Sequence, residues 1–367
     1  MVGEIEKVMV TNNDDLLVFD RHNKSILLFG STGIFKNRIG IFGHAKNEYI
    51  EPLDMVYDEH CDNVIVYDNA KKALMYYDMN GEFLKSILLN EYIESFEVLD
   101  GSHLVLYCGY KGLGSNDINY NYKILDTKGN VVKKYAPFDK TMEKIVMPPY
   151  PFQKHNGKLY CHIEGTPVLN EITLKEMKPT YLINFGKNQL PNYYYIDGYK
   201  TYNEKVISLE PSKAITGKVF QTDRYILMTF TCSGSSSDMY EKIMITPKSH
   251  LSQPKYYFTM INDLYGKQSS LNLSLVANDK VYFVYSSTTF NSLAELKSDT
   301  DVSTVVAKMY RNVAKRLTGV RKTINSNIVE VLERPTTSII VTNKEKKMMD
   351  SLFKSNNPII QICTLKK

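Results

Sequence analysis

Tryptophan is absent from this chain, and only five cysteines and seven histidines occur among 367 residues. The cysteines, Cys61, Cys108, Cys161, Cys232 and Cys363, stand singly with no CxxC or CxxH spacing. That excludes a zinc-finger frame or a disulfide scaffold and leaves buried strand residues or free thiols. The histidines are scattered, and Cys161-His162 is the one adjacent pair of ligand types. Neighbours on a strand point to opposite faces, so that pair does not share a metal. No GxSxG, HExxH or Walker loop occurs. Gly109-Tyr110-Lys111-Gly112-Leu113-Gly114 opens no helix after a βαβ strand, which removes a nucleotide reading. No apolar run approaches the roughly 18 residues of a membrane helix. Residues 1–15 have neither a basic segment nor a long apolar one, so the chain as given carries no secretory signal. Neither a cofactor nor a metal is expected.

Apolar content of 43% and charged content of 23% are those of an ordinary soluble globular protein. The net charge of +5 is unevenly placed, for 13 Lys and Arg stand against 5 Asp and Glu from Asp301 onward. No run of five basic residues occurs, so this excess reads as solvated helix faces. Nucleic-acid binding is not expected, because basic residues do not alternate with aromatics along a strand face.

What the chain does contain is a repeat. Asp62 to Leu88 has an ungapped echo 48 residues upstream, from Asp14 to Gly40. The pairing matches Asp14 with Asp62, Val18 with Val66, Asp20 with Asp68, Lys24 with Lys72, Gly33 with Gly81, Phe35 with Phe83 and Ile39 with Ile87. Apolar positions between them keep one period-two phase. A third partial copy sets Leu125 to Val132 over Tyr77 to Leu84. A period of about 40 to 50 residues carrying up to four short strands marks a β-propeller blade. The turns ending in Gly33, Gly81 and Gly129 place glycine where a tight hairpin needs positive φ.

The first blade is expected at Glu4–Val10, Leu16–Asp20, Ser25–Gly30 and Phe35–Gly40. The second is expected at Leu53–Tyr57, Val64–Asp68, Ala73–Asp78 and Phe83–Leu89. Ser95–Leu99, His103–Cys108, Asn121–Asp126 and Val131–Tyr135 form the third. The fourth is less regular, at Ile145–Phe152, Lys158–Ile163, Val168–Thr173 and Thr180–Phe185. Ile215–Thr222, Arg224–Cys232, Glu241–Thr246 and Lys255–Thr259 form the fifth; Leu271–Ala277 and Lys280–Ser286 begin the sixth. From 291 to 354 the period becomes helical, with one stripe through Val302, Val305, Val306, Met309, Val313 and Leu317, and a second through Met348, Met349, Leu352 and Phe353. A last strand over 358–366 is expected to close the ring. The expected fold class is therefore all-β, one six-bladed β-propeller domain over 1–367 with a short helical insertion near the C-terminus.

Leu17-Val18-Phe19-Asp20, Phe35, Ile39-Gly40-Ile41-Phe42-Gly43 and Glu48-Tyr49 resemble the six-bladed NHL-like and TolB-like propellers abundant in Bacteroides-type bacteria. Ile183-Asn184-Phe185-Gly186 with Pro191, and the ending Asn356-Asn357-Pro358-Ile359-Ile360-Gln361-Ile362, are similar to the same family. Its members usually carry a lipoprotein signal and an extra strand ahead of the point where this chain starts. The resemblance implies an exported protein, periplasmic or outer-membrane-associated, with a lipid anchor in its full-length form. It implies a fold and a compartment more than an activity.

Connections between second and third strands, and from one blade to the next, share one face of a propeller. The long ones include Ile41–Glu51, Gly109–Tyr120, Ala136–Lys144, Gly186–Glu204 and Ser233–Asp238. Long loops on a rigid scaffold are where a binding site is built. His44, Tyr49, Tyr110, Tyr193, Tyr194 and Tyr195 lie on them and are the candidate ligand-binding residues, since tyrosine offers a flat ring with a hydrogen-bonding tip. The expected role is non-enzymatic recognition of a glycan, peptide or partner protein. The alternative is a metal-dependent, lactonase-like hydrolase or lyase with its site at the central channel.

Overall fold

The computed structural model describes residues 2–89, 91–109, 119–138, 151–162, 168–186, 214–232, 240–252, 254–257, 260–261, 268–269, 273–277, 279–285 and 358–364. The chain divides into two compact units, Val2–Val206 with Lys218–Thr222, and Met1, Ile207–Gly217 and Asp223–Lys367. The first unit holds four antiparallel four-stranded sheets in chain order. They are β1 (Ile5–Val10), β2 (Leu16–Asp20), β3 (Ser25–Phe29) and β4 (Phe35–Ile39); β5 (Pro52–Asp58), β6 (Asn63–Asp68), β7 (Ala73–Asp78) and β8 (Phe83–Leu88); β9 (Ser95–Asp100), β10 (His103–Tyr107), β11 (Asn119–Asp126) and β12 (Val131–Phe138); and β13 (Phe152–His155), β14 (Lys158–His162), β15 (Val168–Ile172) and β16 (Met177–Leu182). β17 (Ala214–Gln221) falls partly in each unit. The second unit continues with β18 (Tyr225–Cys232), β19 (Tyr240–Pro247) and β20 (Lys255–Tyr257), then a short pair, β21 (Met260–Ile261) and β22 (Gln268–Ser269). It ends with β23 (Leu273–Ala277), β24 (Lys280–Tyr285) and β25 (Ile359–Thr364), hydrogen-bonded in that order. The fold class is all-β, a six-bladed β-propeller. The expected helical segment 291–354 lies outside the described residues.

Within the first unit the sheets pack in sequence because their middle strands are apolar on both faces. Along β6, Val64 and Val66 join a core with Leu17, Phe19, Ile26 and Leu28 of the first blade. The alternate residues Ile65 and Tyr67 join a second core with Phe96, Val98, Leu104 and Leu106 of the third. Successive side chains on a strand point to opposite faces, so one six-residue strand seals two blade junctions. A third core sets Val105, Tyr107 and Tyr122 against Leu159 and Cys161 of the fourth blade. His162, next to Cys161 on β14, therefore faces the other side.

Geometry accounts for the residues that recur every 48 positions. Asp20 and Asp68 end their second strands with no exposed surface. Asp20 accepts from the amides of Gly3 and Glu4, which enter β1, and from Asn23 in the following turn. Asp68 does the same with Ile50 and Glu51, which enter β5, and with Lys71. Asp14, Asp62, Lys24 and Lys72 all have positive φ, between 46° and 59°, at matched tight turns. Gly33, Gly81 and Gly129 have φ of 83°, 87° and 86°. Two of these turns also rest on the preceding blade. A Cβ on Gly81 would lie 2.2 Å from the carbonyl oxygen of Arg38, and one on Gly129 would lie 2.5 Å from Ile87 Cγ2.

Most strand ends fall within a residue or two of expectation. β16 begins three residues earlier than Thr180, because Thr173 closes a tight turn by exchanging hydrogen bonds with Glu176. β12 runs on through Pro137 to Phe138, since an edge strand does not need every N–H for pairing. The expected strand Ile145–Phe152 meets β13 at Phe152 alone: β13 runs on to His155, which pairs with Lys158 across a turn whose Asn156 and Gly157 have positive φ, and the part before Pro151 lies outside the described residues.

Gly33→Ala, with no heavy atom of the described residues within 4 Å of its would-be Cβ, should cost about 1–2 kcal/mol from backbone strain alone. Gly81→Ala adds a clash with a neighbouring backbone and should cost about twice as much or more in denaturant unfolding; equal losses would refute the role of that turn as an interblade contact. Burial acts to raise the Asp20 pKa, but the hydrogen bonds from Gly3, Asn23 and Glu4 together outweigh it and hold the carboxyl below the ordinary 3.8. A depressed folded-state pKa gives stability that is full above 3.8 and lost as pH falls through the lower folded value. Thermal melts from about pH 5 to pH 2 should therefore fall less steeply for Asp20→Asn than for the parent, and parallel slopes would contradict this.

Candidate functional site

The connection from β4 to β5 is the long loop whose course the structure describes in full. It folds back on itself: Phe42 and Tyr49 form a parallel bridge, Gly43 N donates to Tyr49 O and Tyr49 N donates to Ile41 O. The Glu48 carboxylate accepts from Ala45 N at 2.9 Å. From the β6–β7 turn, Lys71 Nζ donates to the carbonyls of Ala45 (2.7 Å) and Glu48, and Asn69 binds Glu51 through backbone and side chain. From the β2–β3 turn, Lys24 Nζ donates to Ile50 O at 3.3 Å and sits 4.9 Å from the centre of the Phe42 ring. The two classes of connection expected to share a face are thus joined by hydrogen bonds at both turns. At the opposite strand ends, Asn12 of the β1–β2 turn bonds Glu59 O of the β5–β6 turn.

Two large apolar side chains stand out from this pinned loop, Ile41 at 58% exposure and Phe42 at 48%. Arg21, His22, His44, Lys46 and Lys72 are exposed on the same loop and turns, as is Glu51, and Arg21 lies 3.5 Å from Glu6. The surface therefore combines an apolar pair with a basic surround, held by backbone hydrogen bonds rather than by side-chain packing alone.

The expected ligand-binding residues fare differently. His44 lies exposed on the loop. Tyr49 does not reach the surface: its side chain is fully buried, its hydroxyl donates to Ile39 O at 3.2 Å and its ring meets Tyr77 edge-on at 6.1 Å. Burial pushes its pKa up to about 12, so it stays protonated and acts as a core strut. A ring with no exposed face offers none to a ligand, and Tyr49 is removed from the site. Tyr110, Tyr193, Tyr194 and Tyr195 lie outside the described residues. Ile41 and Phe42 are exposed but are not among the expected residues; their signal in the sequence is an apolar pair between two glycines, which breaks the period-two pattern without starting a strand.

Titratable groups also meet along the first strands of the blades. Asp54 on β5 accepts from Lys7 Nζ of β1 at 2.9 Å, from Ser95 Oγ of β9 at 2.6 Å, and from the amides of Met55 and Phe96. Lys154 on β13 lies 3.6 Å from Glu97 and 3.3 Å from Glu59. A carboxylate with four donors has no lone pair directed at a substrate, so Asp54 ties three blades together rather than serving as a base. Among the described residues no three His, Cys, Asp or Glu side chains are grouped as a metal would need. Among them, too, no helix is long and apolar enough to cross a membrane.

Meander blades in series, with loops pinned on one face, define the β-propeller class. Over residues 1–308 the chain matches the family described as Domain of unknown function (DUF4934), and it belongs to that family. No curated protein matches it. Among solved structures, a Bacteroides fragilis protein assigned as exported is similar with a TM-score of 0.66 at 14% identity, over 100% of this chain and 92% of its own. A Bacteroides vulgatus member of the DUF4221 family is similar with a TM-score of 0.54 at 12% identity, over 77% of this chain and 87% of its own. At such identities the likeness is one of fold.

Lys71→Met keeps the stem but removes the donor to the loop carbonyls. Hydrogen exchange at the amides of Gly43 and Tyr49 should speed up about tenfold, the loss of about 1.5 kcal/mol expected for charged hydrogen bonds. Unchanged exchange would mean that Lys71 does not hold the loop.

Proposed function

We propose that this chain is a non-enzymatic recognition propeller of NHL-like or TolB-like type, exported from the cell, and that it binds a peptide or protein segment on the face carrying the β4–β5 loop. The observation that carries this reading is the pair Ile41 and Phe42, exposed on a loop whose backbone is fixed by Lys71 and by its own bridge. Apolar side chains on a rigid loop lose little freedom on binding, so most of their burial is realised as affinity. Contacts of this kind anchor protein interfaces, while the exposed basic groups around them favour an acidic partner and steer its approach. A glycan platform fits less well, because Tyr49, the described candidate tyrosine, is buried. Export is supported by the resemblance of Leu17 to Asp20 and of Ile39 to Gly43 to exported propellers, and by the assignment of the B. fragilis relative.

The test is a fluorescence panel of short synthetic peptides, each with one Leu or Phe anchor in an acidic, neutral or basic flank, alongside a glycan array. Acidic anchored peptides should bind best and weaken with salt. The double substitution Ile41→Ser and Phe42→Ser should weaken them about tenfold or more while leaving the melting temperature nearly unchanged. Equal binding by the three flanks, hits on glycans alone, or indifference to the double substitution would each reject the proposal.

A further inference from the structure

Polar side chains on the first strands of the opening blades answer one another, as Lys7, Asp54 and Ser95 do, and as Lys154 does with Glu97. Between β13 and β17 that pattern changes. Gln153 is 7% exposed and Gln221 is 2% exposed. Along β13, Phe152 packs with Tyr107 and Tyr122, and Lys154 reaches Glu97, so both face the third blade. Gln153, between them, points the other way, and its Nε2 donates to the backbone carbonyl of Gln221 at 3.3 Å. Gln153 Oε1 and both Nε2 and Oε1 of Gln221 are buried without a partner among the described residues.

No reorientation cures this. Exchanging N and O of the Gln221 amide leaves the same inventory, and exchanging those of Gln153 would set one carbonyl against another. Each buried polar group left unpaired costs about 1–3 kcal/mol, and methionine would fill similar space at no such cost. The two amides are neutral, which disfavours an ion, and their atoms are shut off from solvent, which disfavours a large ligand. Two acceptors and one two-proton donor suit the hydrogens and lone pairs of water.

We propose that Gln153 and Gln221 hold an internal hydration site of one or two ordered waters, which links the first strand of the fourth blade to β17. The bridge would do for this junction what Asp54 does for the first three blades, with water in place of a third side chain.

The experiment uses the full chain labelled with ¹⁵N at glutamine side chains, the Gln221 resonance being assigned through Gln221→Asn. Water-to-amide cross-relaxation should show a long-lived water at Gln221 Nε2, and Gln221→Met should lower the folding equilibrium constant about tenfold. Gln153→Met should cost less in the Gln221→Met background than alone, because the shared waters are already lost. Absence of a long-lived water at Gln221 Nε2 overturns the proposal, as does a rise in stability of Gln221→Met, the sign expected if the amides simply lacked partners. If Gln221→Met does not fold, the cross-relaxation on the parent chain decides the question.

Discussion

A sheet whose middle strands are apolar on both faces cannot stand alone in water, and the structure of the first unit follows from that constraint. β6 is the clearest case, with Val64 and Val66 committed to one core and Ile65 and Tyr67 to another. Each blade must be flanked on both sides, so blades succeed one another instead of stopping at one sandwich. The hydrophobic effect is non-directional and does not set how far one blade is turned relative to the next. Directional contacts do that: Asp54 binds groups on β1, β5 and β9, and the Gly81 turn sits against the end of β4.

The repeating carboxylates work at a finer scale. Asp20 and Asp68 each accept from the two residues that enter the first strand of their own blade and from the turn that follows them. One side chain therefore satisfies several part-buried amides at once, and it locks the blade's entry to its second hairpin. This requires a short acidic side chain at the end of a buried, largely apolar strand. That is why Asp recurs there while the residues around it vary.

Such features were legible because each follows from one residue in one local conformation. Positive φ at Gly33, Gly81 and Gly129, alternation along β6, and strand ends within a residue or two all come from short-range rules. The candidate site was only partly legible, since exposure is decided by what packs against a residue from elsewhere in the chain. His44 and Tyr49 lie five residues apart on one polar, aromatic loop, and nothing in that segment separates them. Tyr49 is buried because Gly40 leaves room beside Tyr77, where a Cβ would come within 3 Å of both tyrosine rings. Phe42 is half exposed because Lys24, from a different blade hairpin, lies over its ring. Neither fact can be derived without the tertiary contact.

A loop that exposes apolar side chains must be kept from collapsing onto the scaffold, and hydrogen bonds to its backbone do this for the β4–β5 loop. Most of its hydrogen bonds use carbonyls and amides of residues 41 to 51, joined by the side chains of Glu48, Tyr49 and Glu51, and among the described residues Ile41 and Phe42 take no part beyond their backbone and the Lys24 contact. Lysine suits the clamp at position 71 because its ammonium reaches several carbonyls at once from a flexible stem. The same charge adds to the basic character of the face. Lys24 and Lys71 thus both hold the loop and lend charge to its surface.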